Sequence, residues 1–401
     1  MAKSINANIG TIAIPPGTNR LVKKGSKARF VVPAACAIML TFGRTGFLPF
    51  EGIYSSLDQL INIFVVVVAP ILIFKNICQQ SINRNLGILL PLLALMFWVG
   101  SVLVIQTNSQ NWPSQTALID IFLAILFASQ LKKIELRRLR HSILVLSATF
   151  SILTLLFARQ SLNMILSGSL EARMGSDISN ANLIIFPRVM YVLCITSVIS
   201  IFLERQLWVK IGATVLMILP ILIALATGGR GPLVAFFLTI VLLVILIPGK
   251  KKKALSLLVF GALAVIVYNL VISIFPVMQY RIAEEKDTGR MDVWSGLLGN
   301  DAITLFGRGV QSTYAHNIFI EFLTDYGIGG LFLFLVVLSL SFQKLVNYYK
   351  KSSDKESFFI ISIFSMHFIS QQFSLNIFYG GIWAAIILPL GFAWRYRNAK
   401  P

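Results

Sequence analysis

Long apolar runs recur along the whole chain and constrain its fold more than any other feature. A transmembrane helix needs about 20 mainly apolar residues. Of the 401 residues, 56% are hydrophobic and only 13% are charged, whereas soluble proteins carry about 25% charged residues. The sequence therefore predicts an all-α, polytopic integral membrane protein with about 12 transmembrane helices, at residues 30–47, 57–75, 86–106, 116–131, 142–158, 183–203, 208–227, 231–248, 254–275, 327–345, 357–375 and 377–395.

The distribution of positive charge predicts how these helices are oriented. With the N-terminus in the cytoplasm and the spans alternating, 26 of the 35 Lys and Arg residues fall on cytoplasmic segments and nine on exterior segments. An excess of Lys and Arg in the cytoplasmic loops is typical of membrane proteins and is known as the positive-inside rule. The bias predicts that both termini are cytoplasmic, and it explains the net charge of +19 without a nucleic-acid partner.

This topology divides the chain into five segments. They are a cytoplasmic N-terminal tail (1–29), nine transmembrane helices (30–275), a large exterior loop (276–326), three further transmembrane helices (327–395) and a cytoplasmic C-terminal tail (396–401). The basic region before the first apolar run also resembles a signal peptide. The many later spans favour an uncleaved first helix.

The exterior cations are nearly all arginine. Seventeen of the eighteen lysines lie on cytoplasmic segments, and topology alone does not require that choice. Arginine grips phosphate through two parallel hydrogen bonds, so the bias indicates an anionic ligand outside. Chance composition, with Arg anchoring helix ends at the interface, is the alternative. The exterior arginines are Arg44, Arg159, Arg173, Arg188, Arg230, Arg281, Arg290 and Arg308.

A glycine-rich turn is the first candidate site. Thr227-Gly228-Gly229-Arg230-Gly231-Pro232 joins two predicted spans on the outer side. Glycine permits a sharp reversal, and Pro232 suits the first turn of the next helix. The free N–H groups of that helix, beside Arg230, would bind an anion. A tight helical hairpin with one anchoring arginine is the alternative.

The second candidate is the segment Gly289-Arg290-Met291-Asp292-Val293-Trp294. Apolar residues at 291, 294, 297 and 298 predict a short amphipathic helix on the membrane surface, with Arg290 near its start. A local ion pair of Arg290 with Asp292 or Glu285 is the alternative.

The third candidate is His316, the one histidine in an exterior segment. A neutral imidazole can take a proton from a hydroxyl group near neutral pH. Asn317 and Glu321 share a helix face, so Glu321 could orient or replace the base. The alternative for His316 is a helix-start residue bonded to backbone. For His367, in the middle of the eleventh predicted span, we expect a hydrogen bond to neighbouring helices.

Metal binding is not expected. The cluster Glu284-Glu285-Lys286-Asp287 could hold a divalent cation, but a solvated loop is the simpler interpretation. No Asp-x-Asp pair occurs in the exterior segments, which argues against a metal-dependent phosphate mechanism. We therefore expect neither a metal ion nor a cofactor.

Taken together, these motifs resemble the shared signature of bacterial O-antigen polymerases and O-antigen ligases. The resemblance rests on Thr-Gly-Gly-Arg-Gly, Gly-Arg-Met-Asp-Val-Trp, Leu-Phe-Gly-Arg-Gly-Val and Ala-His-Asn-Ile-Phe-Ile-Glu-Phe-Leu-Thr-Asp-Tyr-Gly-Ile-Gly-Gly-Leu, within residues 220–345. Its most specific part runs from His-Asn to Gly-Ile-Gly-Gly-Leu. The remaining spans are similar only in number and topology.

The resemblance implies glycosyl transfer on the periplasmic face of the bacterial inner membrane. It implies a fold related to integral-membrane glycosyltransferases of the GT-C type, and a donor glycan carried on undecaprenyl diphosphate. Arg230 and Arg290 would bind the diphosphate, His316 would be the catalytic base, and neither metal nor nucleotide sugar would take part. Arg308 occupies a Gly-x-Gly turn where many members have a non-basic residue. Asn317, Glu321, Arg281 and Arg188 are candidate supporting residues.

Three functions remain open at this point. The 25 residues between Arg290 and His316 form a shorter stretch than in the ligases, which favours polymerisation of lipid-linked repeat units over transfer to lipid A-core. A polymerase would also have a chain-length regulator as a candidate partner. A lipid-linked glycan flippase is the alternative from another class. Such transporters often show internal repeats and charges at the membrane midplane, and this sequence shows neither clearly.

Overall fold

The computed structural model describes residues 28–42, 63–72, 86–105, 112–131, 135–157, 163, 185–227, 229–246, 269, 273, 290–299, 303–309, 315, 317–351, 356–373 and 380–396. Within these ranges the protein is helical and contains no β-strand. The helices are α1 (Ala28–Phe42), α2 (Leu86–Ile105), α3 (Trp112–Gln130), α4 (Leu136–Phe157), α5 (Ile185–Leu203), α6 (Leu207–Ala226), α7 (Arg230–Leu246), α8 (Arg290–Leu297), α9 (Ile318–Lys351), α10 (Glu356–Ser370) and α11 (Gly380–Tyr396), with a π-helical segment at Phe64–Val68.

Helical segments are described in eleven of the twelve predicted spans. The ninth span, 254–275, lies almost entirely outside the described residues. The helices α4, α5, α6 and α9 are long and apolar enough to cross a membrane, and the helices α1, α2, α3, α7, α10 and α11 contain shorter apolar stretches. The protein is therefore a helical membrane protein. Its total of 12 spans stays a prediction.

One predicted boundary differs clearly from the structure. The tenth span was expected to begin at residue 327, but α9 already begins at Ile318. Gly327 interrupts this helix with non-helical angles, φ 72° and ψ −174°. The apolar pattern locates the part after the break, whereas the helical turns before it carry Glu321 and Asp325 and are not apolar enough to be recognised by hydropathy.

The helices α5, α10 and α11 form the centre of the bundle. The helix α5 packs against α4, α6, α7 and α10, while α11 packs against α1, α3, α9 and α10. Thr196 and Ser200 of α5 donate to carbonyls one turn earlier, at 2.9 and 2.8 Å. Gly391 allows α11 to approach α3 closely, because a Cβ there would lie 2.5 Å from the carbonyl oxygen of Ala128. Small residues commonly permit such packing in membranes.

Buried charges join three helix ends on one side of the bundle. Arg140 of α4 is 1% exposed, and its Nη2 donates to Glu204 Oε1 at 2.8 Å and to Glu356 Oε1 at 2.9 Å. Arg137 and His141 also contact Glu204, at 2.7 Å each. Burial raises the pKa of Glu204, but the hydrogen bonds from Arg137, His141 and Arg140 outweigh it and lower the pKa to about 2. We call these five residues the ion cluster.

The ion cluster agrees with the predicted alternation of spans. It joins the beginning of α4, the end of α5 and the beginning of α10, and all three points fall on segments assigned to the cytoplasm from the Lys and Arg distribution. The three ends therefore lie on the same side of the bundle. That this side is the cytoplasmic one stays a prediction.

Candidate functional site

The opposite side of the bundle carries the candidate residues. The structure describes Arg188, Arg230, Arg308, Asn317 and Glu321 with their side chains. For Arg290 it describes the backbone alone. His316, Arg281 and the acidic cluster at 284–287 lie outside the described residues.

Arg188 and His367 form a buried pair between α5 and α10. Both residues are 0% exposed. Arg188 Nη2 lies 3.0 Å from His367 Nδ1 and donates to the His367 backbone carbonyl at 3.2 Å. A guanidinium can only donate, so Nδ1 accepts and the proton of the neutral imidazole lies on Nε2. The pair thus joins α5 and α10.

This pair locates Arg188 and confirms the expectation for His367. The distribution of charge assigned Arg188 to the exterior side, which stays a prediction; its side chain is buried because α5 is surrounded by α4, α6, α7 and α10. His367 bonds to a neighbouring helix, as expected. It lies in the last turn of α10 rather than in the middle of a span, because α10 ends at Ser370.

The glycine-rich turn packs directly beside this pair. α6 ends at Ala226 and α7 begins at Arg230, as the motif predicts. A Cβ on Gly229 would lie 2.7 Å from Pro187 Cγ, so only glycine fits there without a shift. Pro187 immediately precedes Arg188 in the sequence. The turn that carries half-buried Arg230 is therefore held against the first turn of α5.

The second motif contacts the third. The segment predicted as a short helix is α8, Arg290–Leu297. Within it, Trp294 Nε1 donates to the Ala315 backbone carbonyl at 2.6 Å. Ala315 is the residue before His316. The helix that begins at Arg290 therefore docks beside the His-Asn segment, although these two motifs are more than 20 residues apart in the sequence.

Asn317 takes the helix-start role that the sequence left open for His316. Its Oδ1 accepts hydrogen bonds from the backbone N–H groups of Phe319 and Ile320, at 3.0 and 3.3 Å, which is the usual function of an N-cap residue. Its Nδ2 donates to Gln372 Oε1 at 3.2 Å. Glu321 lies one turn further along the helix and is buried. Its backbone N–H donates to the Asn317 carbonyl at 3.0 Å.

The Gly-Arg-Gly segment packs on the break in α9. Backbone hydrogen bonds join Arg308 to Thr324 at 2.8 Å and Gly309 to Asp325 at 3.0 Å. Gly307 has a φ of 75°, and a Cβ there would lie 2.4 Å from the Asp325 carbonyl oxygen. The glycines of this motif are thus required by backbone packing. Arg308 is half-buried, and its backbone N–H belongs to this junction.

The Gly-Ile-Gly-Gly part of the signature is also explained by packing. Gly327 has a positive φ, and a Cβ there would lie 2.3 Å from the Leu305 carbonyl oxygen. A Cβ on Gly329 would lie 2.1 Å from the Trp98 ring. The most specific stretch of the resemblance therefore combines a candidate catalytic segment, His316 to Glu321, with a structural junction that holds it.

Contacts link the three motifs around the C-terminal end of α10. Arg230 follows Gly229, which packs on Pro187. Pro187 is followed by Arg188, whose guanidinium bonds to His367. In the turn that follows α10, Gln372 accepts a hydrogen bond from Asn317, and Ala315 accepts the hydrogen bond from α8. Sequence reasoning missed Pro187 and Gln372. The position of Gln371-Gln372 at the end of an apolar run could have drawn attention to Gln372, whereas the sequence carries no signal for Pro187. Among the described residues, no group of three or more His, Cys, Asp or Glu side chains could hold a metal ion.

Comparison with known proteins does not assign the chain to a family. No protein-family model matches the sequence, and no curated protein matches it significantly. The function must therefore be argued from the residues and from the contacts that join them.

Proposed function

We propose that this protein is an inverting glycosyltransferase that polymerises oligosaccharide repeat units carried on undecaprenyl diphosphate. The reaction takes place on the periplasmic face of the bacterial plasma membrane and builds an O-antigen or a related surface polysaccharide. The donor is a growing glycan on its lipid diphosphate, and the acceptor is another lipid-linked repeat unit.

The proposed chemistry assigns a separate task to each motif. A sugar hydroxyl of the acceptor attacks the anomeric carbon of the donor from the face opposite the diphosphate, so the configuration inverts. His316 takes the hydroxyl proton. The bond between the anomeric carbon and the phosphate oxygen breaks, and the diphosphate leaves with its charge held by Arg230 and Arg290, with Arg308 as a further candidate. Fixed guanidinium groups stabilise the growing negative charge more than the ground state.

One observation carries this proposal: the contacts that bring the three motifs to one end of the bundle. The 227–230 turn, the helix that begins at Arg290 and the segment around His316 come from distant parts of the sequence. Each is held by a specific contact, through Pro187, Ala315 and Gln372 respectively. An anion-binding arginine and a base must act on the same bond, so such convergence is what this chemistry requires.

The test is the length of the lipid-linked glycan made by the purified protein in liposomes. With a lipid-diphosphate repeat unit, the wild type should produce a ladder of longer glycans. Arg230→Ala, Arg290→Ala and His316→Ala should each lower the rate by at least about 100-fold. Arg205→Ala is the matched control, because Arg205 is exposed beside the ion cluster and should leave the rate unchanged.

The same assay separates the other two functions. Transfer of the glycan to added lipid A-core, without elongation of the repeat unit, would identify a ligase. Movement of the donor across the liposome membrane with no change in glycan length would identify a flippase. A chain-length regulator would alter the distribution of the ladder rather than its existence.

A further inference from the structure

We propose that the C-terminal end of α10 positions the two halves of the site, through His367 on the arginine side and Gln372 on the histidine side. Neither side chain is assigned to the substrate or to the reacting atoms. They act as positioning residues for Arg230 and for His316. This inference rests on the proposed glycosyl transfer and specifies how its site is held together.

On the arginine side, His367 fixes the beginning of α5. Its Nδ1 and its backbone carbonyl both receive hydrogen bonds from Arg188 Nη2. A fully buried guanidinium is costly unless its hydrogen bonds are made, so Arg188 is strongly tied to this imidazole. Pro187 moves with Arg188, and the Gly229 turn lies on Pro187 with no room for a Cβ. A shift of Arg188 is therefore passed to the backbone of Arg230.

On the histidine side, Gln372 fixes the beginning of α9. Its Oε1 accepts from Asn317 Nδ2 at 3.2 Å, and its Nε2 donates to the Phe368 carbonyl at 3.3 Å. The amide is thus held by the last turn of α10 and can support Asn317 in one orientation. Asn317 is covalently bonded to His316, and consecutive Cα atoms lie about 3.8 Å apart. Fixing Asn317 therefore fixes the residue to which His316 is joined by its peptide bond.

We call the contacts from His367 to the Arg230 turn the arginine arm, and those from Gln372 to Asn317 the histidine arm. Both arms depend on one rigid helix, α10. Most side chains of α10 are buried, including those of Ile363, Met366 and Ser370, and the helix packs against α5, α7, α9 and α11. His367 lies in the last turn of this helix, and Gln372 lies in the turn that follows it, two residues beyond Ser370. The separation between the turn that carries Arg230 and the N-cap residue Asn317 is then set by α10 and the turn that follows it.

The two arms predict different kinetic defects in the liposome assay. His367→Leu removes the acceptor for Arg188 and should raise KM for the lipid-linked repeat unit about tenfold, with kcat near the wild-type value. His367→Asn places an amide oxygen near the position of Nδ1 and should restore KM. Gln372→Met keeps the length of the side chain but not its acceptor, and should lower kcat about tenfold with KM near the wild-type value.

Gln343→Met is the matched control for the glutamine variant. Gln343 is exposed on α9, far along the helix from Asn317, and its substitution should change neither constant. Equal losses in KM and kcat for both variants, or wild-type kinetics in either, would overturn the inference. A wild type that makes no ladder would instead refute the proposed function, so the two failures are distinguishable.

A second pair of variants tests the arginine arm without changing His367. Gly229→Ala forces a Cβ against Pro187 Cγ and should raise KM in the same way as His367→Leu. Pro187→Ala in that background removes the Cγ and should bring KM back towards the wild-type value. Additive defects in the double variant would show that the turn and the beginning of α5 are not coupled, and the arginine arm would be refuted.

Discussion

The indole Nε1 of Trp98 donates a hydrogen bond of 2.9 Å to the backbone carbonyl of Tyr326. Tyr326 is the last residue before the break in α9, where a carbonyl loses its partner within the helix. The same indole stacks on Phe306, with ring centroids 4.9 Å apart, and lies over Gly329. α2 therefore supports both the break and the Gly-Arg-Gly segment that packs on it.

Replacing Gly327 should damage this junction severely. Its φ of 72° strains any other residue, and a Cβ would lie 2.3 Å from the Leu305 carbonyl oxygen. We expect Gly327→Ala to lower the free energy of unfolding by about 3 kcal/mol or more, measured as a lower melting temperature in detergent. Gly212→Ala is the control, because nothing lies within 4 Å of a Cβ there; equal melting temperatures for the two variants would contradict this account of the break.

The fold was predictable where hydropathy alone decides the structure. The predicted span 86–106 corresponds to α2 (Leu86–Ile105), and the predicted span 208–227 corresponds to α6 (Leu207–Ala226). The break in α9 was not predictable, because a glycine within an apolar segment is compatible with a continuous helix. It takes Leu305 and Trp98, both distant in the sequence, to show why Gly327 and Gly329 are required.

The site was predictable only as a set of segments. The apolar run that follows Pro232 located α7, and the apolar residues at 291, 294, 297 and 298 located α8. The sequence could not indicate that Arg188 is buried, since an arginine three residues into a helix can point outward or inward. Nor could it connect Asn317 with Gln372, because that contact depends on how α9 and α10 pack.

The ion cluster should make a large contribution to stability. Arg140 is bonded to Glu204, Glu356 and Ser200, and removing one partner of a buried charge pair costs about 3–5 kcal/mol. We therefore expect Arg140→Met to lower the melting temperature strongly. Arg205→Met, next to Glu204 but exposed, should leave it unchanged. A melting temperature for Arg140→Met equal to that of the control would mean that the cluster does not hold α4, α5 and α10 together.

Glu204 should make that stability depend on pH. Its pKa is lowered from 4.5 to about 2 in the folded protein, so its contribution is fully present above about pH 4.5 and is lost as the pH falls towards about 2. The contribution amounts to about 3 kcal/mol. The melting temperature of the wild type should exceed that of Glu204→Gln at pH 6, and the difference should shrink between pH 4.5 and pH 2. A difference that stays constant over that range would contradict the assignment.

The two sides of the bundle should be labelled from opposite sides of the membrane. In a variant with Cys36, Cys78 and Cys194 replaced, a cysteine at exposed Ser295 of α8 should react with a membrane-impermeant maleimide in spheroplasts. A cysteine at exposed Arg205 should react only after the membrane is permeabilised. The reverse pattern would place the ion cluster outside and the candidate site in the cytoplasm, which is incompatible with a periplasmic reaction.

The most direct test of the central claim is the glycan ladder made in liposomes by the wild type and by His316→Ala. Both proteins should fold and melt at similar temperatures, because the packing that holds this segment is made by its neighbours Ala315 and Asn317. The account predicts a ladder of lengthened lipid-linked glycans from the wild type and only the starting repeat unit from His316→Ala. A full ladder from His316→Ala, or none from the wild type, would contradict it.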